Sequence, residues 1–310
     1  MTVNPPRRTA HRWSAVVFSL CALAVSAAAL ADATLRVMLI PADGGTASGT
    51  KADFQPLFNA VSRETGLKFD LRVGESYAAV VEAMKSRLID IAWFGPVAYV
   101  QARKAGAAEL LGVSVLEGQS VYYAGIFVRA DSPLQSIEDL AGKRVAVGDL
   151  NSGSSFTYPV DMMLRAGLDP ARDLAELRIA GSHSASLAAL TERRVDAACL
   201  SFESFQKAAN RGAIDAADYR VIARSDPIPN PPLALSTALP PALKAQLRKA
   251  FGEIHKASGI APEMIRGYGG ARIDSYDTAL PETAFDRAGE TYARISDEVR
   301  SAILRKAGER

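Results

Sequence analysis

Two cysteines and three histidines among 310 residues leave little material for a metal centre. Cys21 falls within an apolar leader, so Cys199 stands alone and no internal disulfide can form. No Cys/His spacing suggests zinc, and neither a metal nor a cofactor is expected. A dominant charge is missing too. The formal net charge is +2; losing residues 1–31 removes Arg7, Arg8 and Arg12 but no acid, so 36 basic residues become 33 against 34 acidic, a balance of −1. Nucleic acid is therefore not an expected partner. Beyond residue 30 no hydrophobic run is long enough to cross a bilayer. What remains is ordinary globular composition, 48% hydrophobic and 23% charged, with length for about two domains at roughly 100–200 residues each.

The leader has three parts. Its start is basic, Trp13 to Leu30 carry no charge, and Ala29-Leu30-Ala31 is a small-x-small cleavage sequence. The run is short for a transmembrane anchor, which spans about 20 residues. A signal peptide over 1–31, cleaved after Ala31, and a periplasmic protein are expected.

The rest is written twice in the same order. The first half has strand Leu35–Ile40, the polar loop "PADGGTASGT", a helix over 51–65, strand Phe69–Val73, helix "YAAVVEAMKSRL" and the buried strand "IDIAWFG". The second has "KRVAVGD", "LNSGSS", "FTYPVDMMLRAG", "LAELRIAG", "SASLAALTERR" and "VDAACLSF". Arg36 maps to Arg144 at an offset of 108, and Asp90 to Asp196 at 106. Such agreement suggests two similar α/β lobes. "SVYYAGIFVRADSPLQSIEDL" reads as one crossing strand and "YRVIARSDPIPNPPLAL" as a second, ended by prolines. The first lobe is thus expected to take 32–127 and 228–310, and the second 128–227. The amphipathic helices after Pro241 are expected against lobe one. A cleft between the lobes receives the loops at the strands' carboxyl ends.

The turn "GDLNSGSSF" places Ser152, Ser154 and Ser155 where strand gives way to helix, around the permissive Gly153. Serine and glycine are common helix caps. Three serines in four residues exceed what one cap needs, and a helix start, with unpaired N–H groups and about half a positive charge, accepts an oxyanion without any lysine. His183, at a second strand-to-helix turn, is either structural or a further donor. Tyr77 and Tyr122 lie where a cleft wall should be, and either also suits plain packing. Glu203, at a third turn, suits a helix-start carboxylate.

Read together, "YAAVVEAMKSRLIDIAWFGP", "VYYAGIFVRADSPLQSIEDLAGKRVAVGDLNSGSSFTYP", "AGSHSASLAAL", "RRVDAACLSFES" and "DPIPNPPLAL" resemble the periplasmic binding proteins of phosphonate and phosphite ABC importers. The resemblance runs over about residues 34–240. It implies a two-lobed type II binding protein with two crossing strands, closing on a small oxyanion and handing it, as a monomer, to an inner-membrane permease. It also implies that Ser152, Ser154 and His183 hold the oxygens while Tyr77 and Tyr122 line the site. There are departures. Gly153 replaces the middle residue of a Ser-Thr-Ser turn, leaving its amide and adding Ser155 as a further hydroxyl. Glu203 matches one of two acids that hold the amine of an aminoalkyl phosphonate, but Asn230 stands at the other. A ligand without an amine is favoured, because charge-assisted bonds are roughly twice as strong as neutral ones.

Two further readings stay open. Relatives of this fold present an oxyanion such as arsenite to a membrane sensor kinase, and Cys199 is the one thiol available to it; a lone cysteine in an apolar strand also suits buried packing. A hydrolase would need an activated nucleophile, yet no G-x-S-x-G turn or third triad member is evident. The protein is not expected to be an enzyme.

Overall fold

The computed structural model describes Met1, residues 34–42 and residues 46–309. The expected leader beyond Met1, the cleavage position after Ala31, and residues 43–45 of the first polar loop lie outside the described residues.

The first half runs β1 (Thr34–Leu39), α1 (Ala47–Thr65), β2 (Lys68–Val73), α2 (Tyr77–Lys85), β3 (Ile91–Trp93), α3 (Pro96–Lys104) and β4 (Ala108–Val115). Crossing strand β5 (Val121–Tyr122) leads to β6 (Ala124–Arg129) and β7 (Arg144–Val147). A wide turn over Gly153–Thr157 then runs into α4 (Tyr158–Arg165), followed by β8 (Glu176–Ile179), α5 (His183–Thr191), β9 (Ala197–Ser201), α6 (Phe202–Asn210) and β10 (Tyr219–Arg224). The return strand β11 (Ile228–Pro229) opens onto β12 (Pro232–Ser236), α7 (Pro241–Glu253), β13 (Ser275–Asp277), α8 (Asp286–Arg294) and α9 (Asp297–Gly308).

These strands build two sheets of matching design. In one, ordered β13-β4-β12-β3-β1-β2, the strands β2, β1 and β3 are parallel and β12 joins antiparallel. In the other, ordered β10-β6-β9-β7-β8, the parallel trio is β8, β7 and β9, and β6 joins antiparallel. Between them β5 and β11 pair antiparallel, Tyr122 opposite Ile228, as a two-stranded hinge. Each lobe has its own core. Phe54, Leu57, Phe58 and Val61 form the buried stripe of α1, with the 3-4 spacing that faces a helix toward a sheet. In lobe two, Val145, Val147, Leu177 and Cys199 meet Phe156, Val160 and Met163.

One tie is repeated in both lobes. Arg36 donates from its backbone N–H and guanidinium to Asp90 and reaches the Arg87 carbonyl; Arg144 does the same to Asp196 and the Arg193 carbonyl. Arg87 and Arg193 both take a left-handed φ, 57° and 56°. The two landmarks that suggested a repeat are thus partners within one motif. Pairs this exposed contribute about 0–1 kcal/mol each, so the motif fixes register more than it adds stability.

The tail departs from expectation. Helix α7 packs on β4 and β13 of lobe one, but α9 packs on β8, and Ile295 and Ile303 enter the core of lobe two. The placing of all of 228–310 with lobe one is corrected for this last helix. Its register buries Ile303, and that apolar side chain finds its partners on the far lobe. Among the described residues no helix is long and apolar enough to cross a membrane.

Candidate functional site

Parallel strands send their carboxyl ends in one direction, so the helices that follow all begin on the same side of each sheet. Five of these starts are capped by a side chain: Thr46, Ser76, Ser152, Ser182 and Ser201 each accept the N–H three residues on. Ser76 and Ser182 adopt almost the same backbone, φ −152° in both. Thr46 and Ser76 begin helices of lobe one, and the others begin helices of lobe two. Where the lobes meet, these turns come face to face.

The lobes are closed on one another. The Tyr77 N–H donates to Asp149 Oδ2 at 3.3 Å, the His183 N–H to the Ala42 carbonyl at 3.1 Å, and Gln101 Nε2 to Asn151 Oδ1 at 3.0 Å. Tyr268, in a tight turn of lobe one, shares a 2.8 Å hydrogen bond with Ser204. At the rim Lys207 and Arg211 donate to Asp53 of α1 at 2.8 and 3.1 Å. Each of these bonds crosses between lobes.

Of the expected site residues, Tyr77, Tyr122, Ser152, Gly153, Ser154, Ser155, His183 and Asn230 are buried or on the closed interface, and Glu203 is half-buried beside it. Gly153 faces lobe one: a side chain there would meet the Tyr122 hydroxyl, Val97 and Pro96 at 3.7 to 3.9 Å. Ser154 stands beside Tyr122, whose phenol burial pushes well above its ordinary pKa, so its O–H remains a donor. Glu203 lies near enough to oppose ionisation of Tyr122 further. His183 Nδ1 accepts the Ser201 N–H at 3.0 Å, which leaves the proton of the neutral ring on Nε2.

Three residues behave differently from the simple picture of a hydroxyl cluster. Ser152 Oγ accepts the Ser155 N–H at 3.2 Å, so it serves as the helix cap. Ser155 Oγ is fully buried above Gly148 and, among the described residues, has no hydrogen-bond partner. Asn230 Nδ2 donates to the Ser114 carbonyl at 2.8 Å, tying the return crossing to the end of β4. Cys199 sits inside the core of lobe two, where burial pushes its thiol pKa far up. Cys199 is therefore part of the lobe-two core and not of the cleft wall.

Four neighbours were not anticipated. Trp93 and Tyr268 stand 5.4 Å apart, and the Tyr268 ring lies 6.0 Å from Tyr122 and 6.3 Å from His183, forming an aromatic wall. Asp149 accepts N–H groups from both lobes, and burial raises its pKa. Ser201 caps α6 while orienting His183. Trp93 and Ser201 end their strands, a position that marks a cleft; Asp149 stands two residues past β7. For Tyr268, in "GYGG", no local signal existed.

Comparison with known proteins follows the same line. Residues 45–282 match the family described as "ABC transporter, phosphonate, periplasmic substrate-binding protein". The chain is 29% identical over 232 residues to the phosphate-import protein PhnD of Mycolicibacterium smegmatis, covering 71% of each. It shares its fold with a binding-protein component of an ABC phosphonate transporter from Pseudomonas aeruginosa, with TM-score 0.72, 20% identity, and coverage of 89% of this chain and 94% of that one. Prochlorococcus marinus PhnD1, solved in complex with methylphosphonate, is similar at TM-score 0.73 and 15% identity, over 84% and 98% of the two chains.

Proposed function

Because the chain belongs to the family of periplasmic substrate-binding proteins of phosphonate ABC transporters, we propose that it captures a small phosphorus oxyanion, phosphonate or phosphite, between its lobes. It then delivers the ligand, as a monomer, to an inner-membrane permease. Export by a leader cleaved after Ala31 belongs to the same proposal. The observation that carries it is the neutral donor set buried at the closed interface: Ser154, Tyr122 and His183 beside the start of α4. A helix N-terminus stabilises an anion through unpaired N–H groups and its dipole. Hydroxyl and imidazole donors add directed bonds without a counter-charge. The aromatic wall of Trp93, Tyr122 and Tyr268 supplies an apolar face for the group on phosphorus that cannot accept hydrogen bonds. No activated nucleophile is part of this reading; a serine offered to an oxyanion needs no base.

The test is a thermal-shift panel with phosphite, methylphosphonate, 2-aminoethylphosphonate, phosphate, sulfate and arsenite. A ligand at a hundred times its dissociation constant adds about 2.7 kcal/mol to stability. A shift with phosphite or methylphosphonate that disappears in Ser154→Ala and His183→Ala, both still folded, is expected. An unchanged response in both variants would place the ligand elsewhere.

A further inference from the structure

On the outer side of the hinge, away from the cleft, α4, α8 and the end of β10 enclose an open pocket of about 370 Å³. Its wall carries four arginines, Arg165, Arg224, Arg287 and Arg294, and two carboxylates, Asp161 and Asp226. Both carboxylates are committed. Arg294 grips Asp161 through two bonds of 2.8 and 2.9 Å, and Arg287 donates to Asp226 at 2.6 Å. Among the described residues Arg224 has no carboxylate within ion-pair distance; its guanidinium lies 3.6 Å over the Tyr123 ring. Arg165 reaches Asp161 only at 4.0 Å and is largely exposed. Four positive charges against two negative leave the wall with a surplus of two.

A second observation points into the same space. Tyr158 lines the pocket and is 4% exposed, yet its hydroxyl makes no hydrogen bond of acceptable geometry. The nearby Thr291 hydroxyl already donates to the Arg287 carbonyl and accepts from Arg294. Tyr158 and Thr291 thus form the buried floor of the cationic pocket.

We propose that this pocket binds a small multivalent anion of the phosphate class, independently of the cleft ligand. Guanidinium groups fork onto phosphate oxygens, so Arg165 and Arg224 engage the anion while the paired arginines set the field.

Inorganic tripolyphosphate, titrated calorimetrically into the full chain, tests the proposal. One equivalent is expected to bind, with affinity at least tenfold lower in the double variant Arg165→Ala/Arg224→Ala and several-fold lower in Tyr158→Phe. Ser154→Ala should bind tripolyphosphate as the unaltered protein does, and the double arginine variant should keep its cleft ligand. Absence of tripolyphosphate binding would overturn the site. So would binding that survives the arginine changes and is lost in Ser154→Ala, which would assign it to the cleft.

Discussion

The ion pairs at the rim make closure measurable. Asp53 belongs to α1 of lobe one, and Lys207 and Arg211 lie at the end of α6 in lobe two. Separation of the lobes breaks both pairs. Arg211 is 62% exposed, and a pair of that kind contributes about 0–1 kcal/mol. Lys207 and Asp53 are only 16% and 18% exposed and 2.8 Å apart, a charge-assisted bond of about 1.5–3 kcal/mol. Asp53→Asn should therefore cost the closed form about 2 kcal/mol. If binding requires closure, apparent affinity falls by the same free energy, roughly thirtyfold at about 1.4 kcal/mol per decade. Calorimetric titration with methylphosphonate gives the affinity, and thermal unfolding without ligand gives lobe stability. The expected pattern is weakened binding with longer-range closure lost in small-angle scattering and little change in the unfolding of the separate cores. An unchanged dissociation constant in a folded Asp53→Asn protein would refute the assignment of these pairs to a closing latch.

Other changes probe other joints. Tyr268→Phe keeps the aromatic wall but removes the 2.8 Å bond to Ser204, and a neutral hydrogen bond of about 1 kcal/mol predicts roughly fivefold weaker binding by titration. Gly148→Ala sets a methyl 2.1 Å from Ser155 Oγ and 2.7 Å from its Cβ, so Ser155 must shift; a lower Tm and weaker phosphite binding are expected together, and a neutral result would show that the turn is pliable. Asp196 is held below the usual carboxylate range by its hydrogen bonds to Arg144, with an opposing push from burial. Its contribution is present above the unfolded-state carboxylate pKa and is lost as pH falls through the lower folded value. Asp196→Asn should flatten that part of the acid unfolding curve. Cys199→Ser puts a hydroxyl into the core of lobe two and should lower Tm by burying an unpaired polar group, while leaving the ligand panel unchanged.

Much of this architecture was legible because local chemistry repeated. Serine or threonine at five cleft-side helix starts, apolar runs ending in small or polar residues, and proline at the return crossing all act over a few residues and leave their mark in the sequence. The hydroxyl turn was legible as a site, but the separate duties of its members were not. Whether Ser152 caps, Ser154 meets Tyr122 or Ser155 turns inward depends on the wide turn in which the Thr157 N–H reaches back five residues to the Ser152 carbonyl. The family resemblance sets Asn230 where an acid would stand, whereas its amide bonds the Ser114 carbonyl. Tyr268 and the migration of α9 to lobe two are products of long-range packing, and no short window of residues encodes them.

The repeat reaches further into the site than its two landmarks. At the offset of 106 that relates Asp90 to Asp196, Thr46 corresponds to Ser152, Ser76 to Ser182, Tyr77 to His183, Trp93 to Cys199 and Gly95 to Ser201. The corresponding helix starts have the same capping geometry, so the scaffold offers each lobe the same turns. The occupants differ. At the first position after the cap, lobe one has a tyrosine where lobe two has a histidine oriented by Ser201. At the strand end, lobe one turns Trp93 toward Tyr268 while lobe two buries Cys199 in its own core. Directed donors have thus gathered on lobe two and aromatic rings on lobe one. The proposed ligand suits this division: an alkylphosphonate or phosphite is polar at one end and unable to accept hydrogen bonds at the other. Placing the lobe-two residue type at the lobe-one position, Tyr77→His, tests this division. It should weaken methylphosphonate more than phosphate, and equal losses for both would mean that the aromatic side of the cleft only packs.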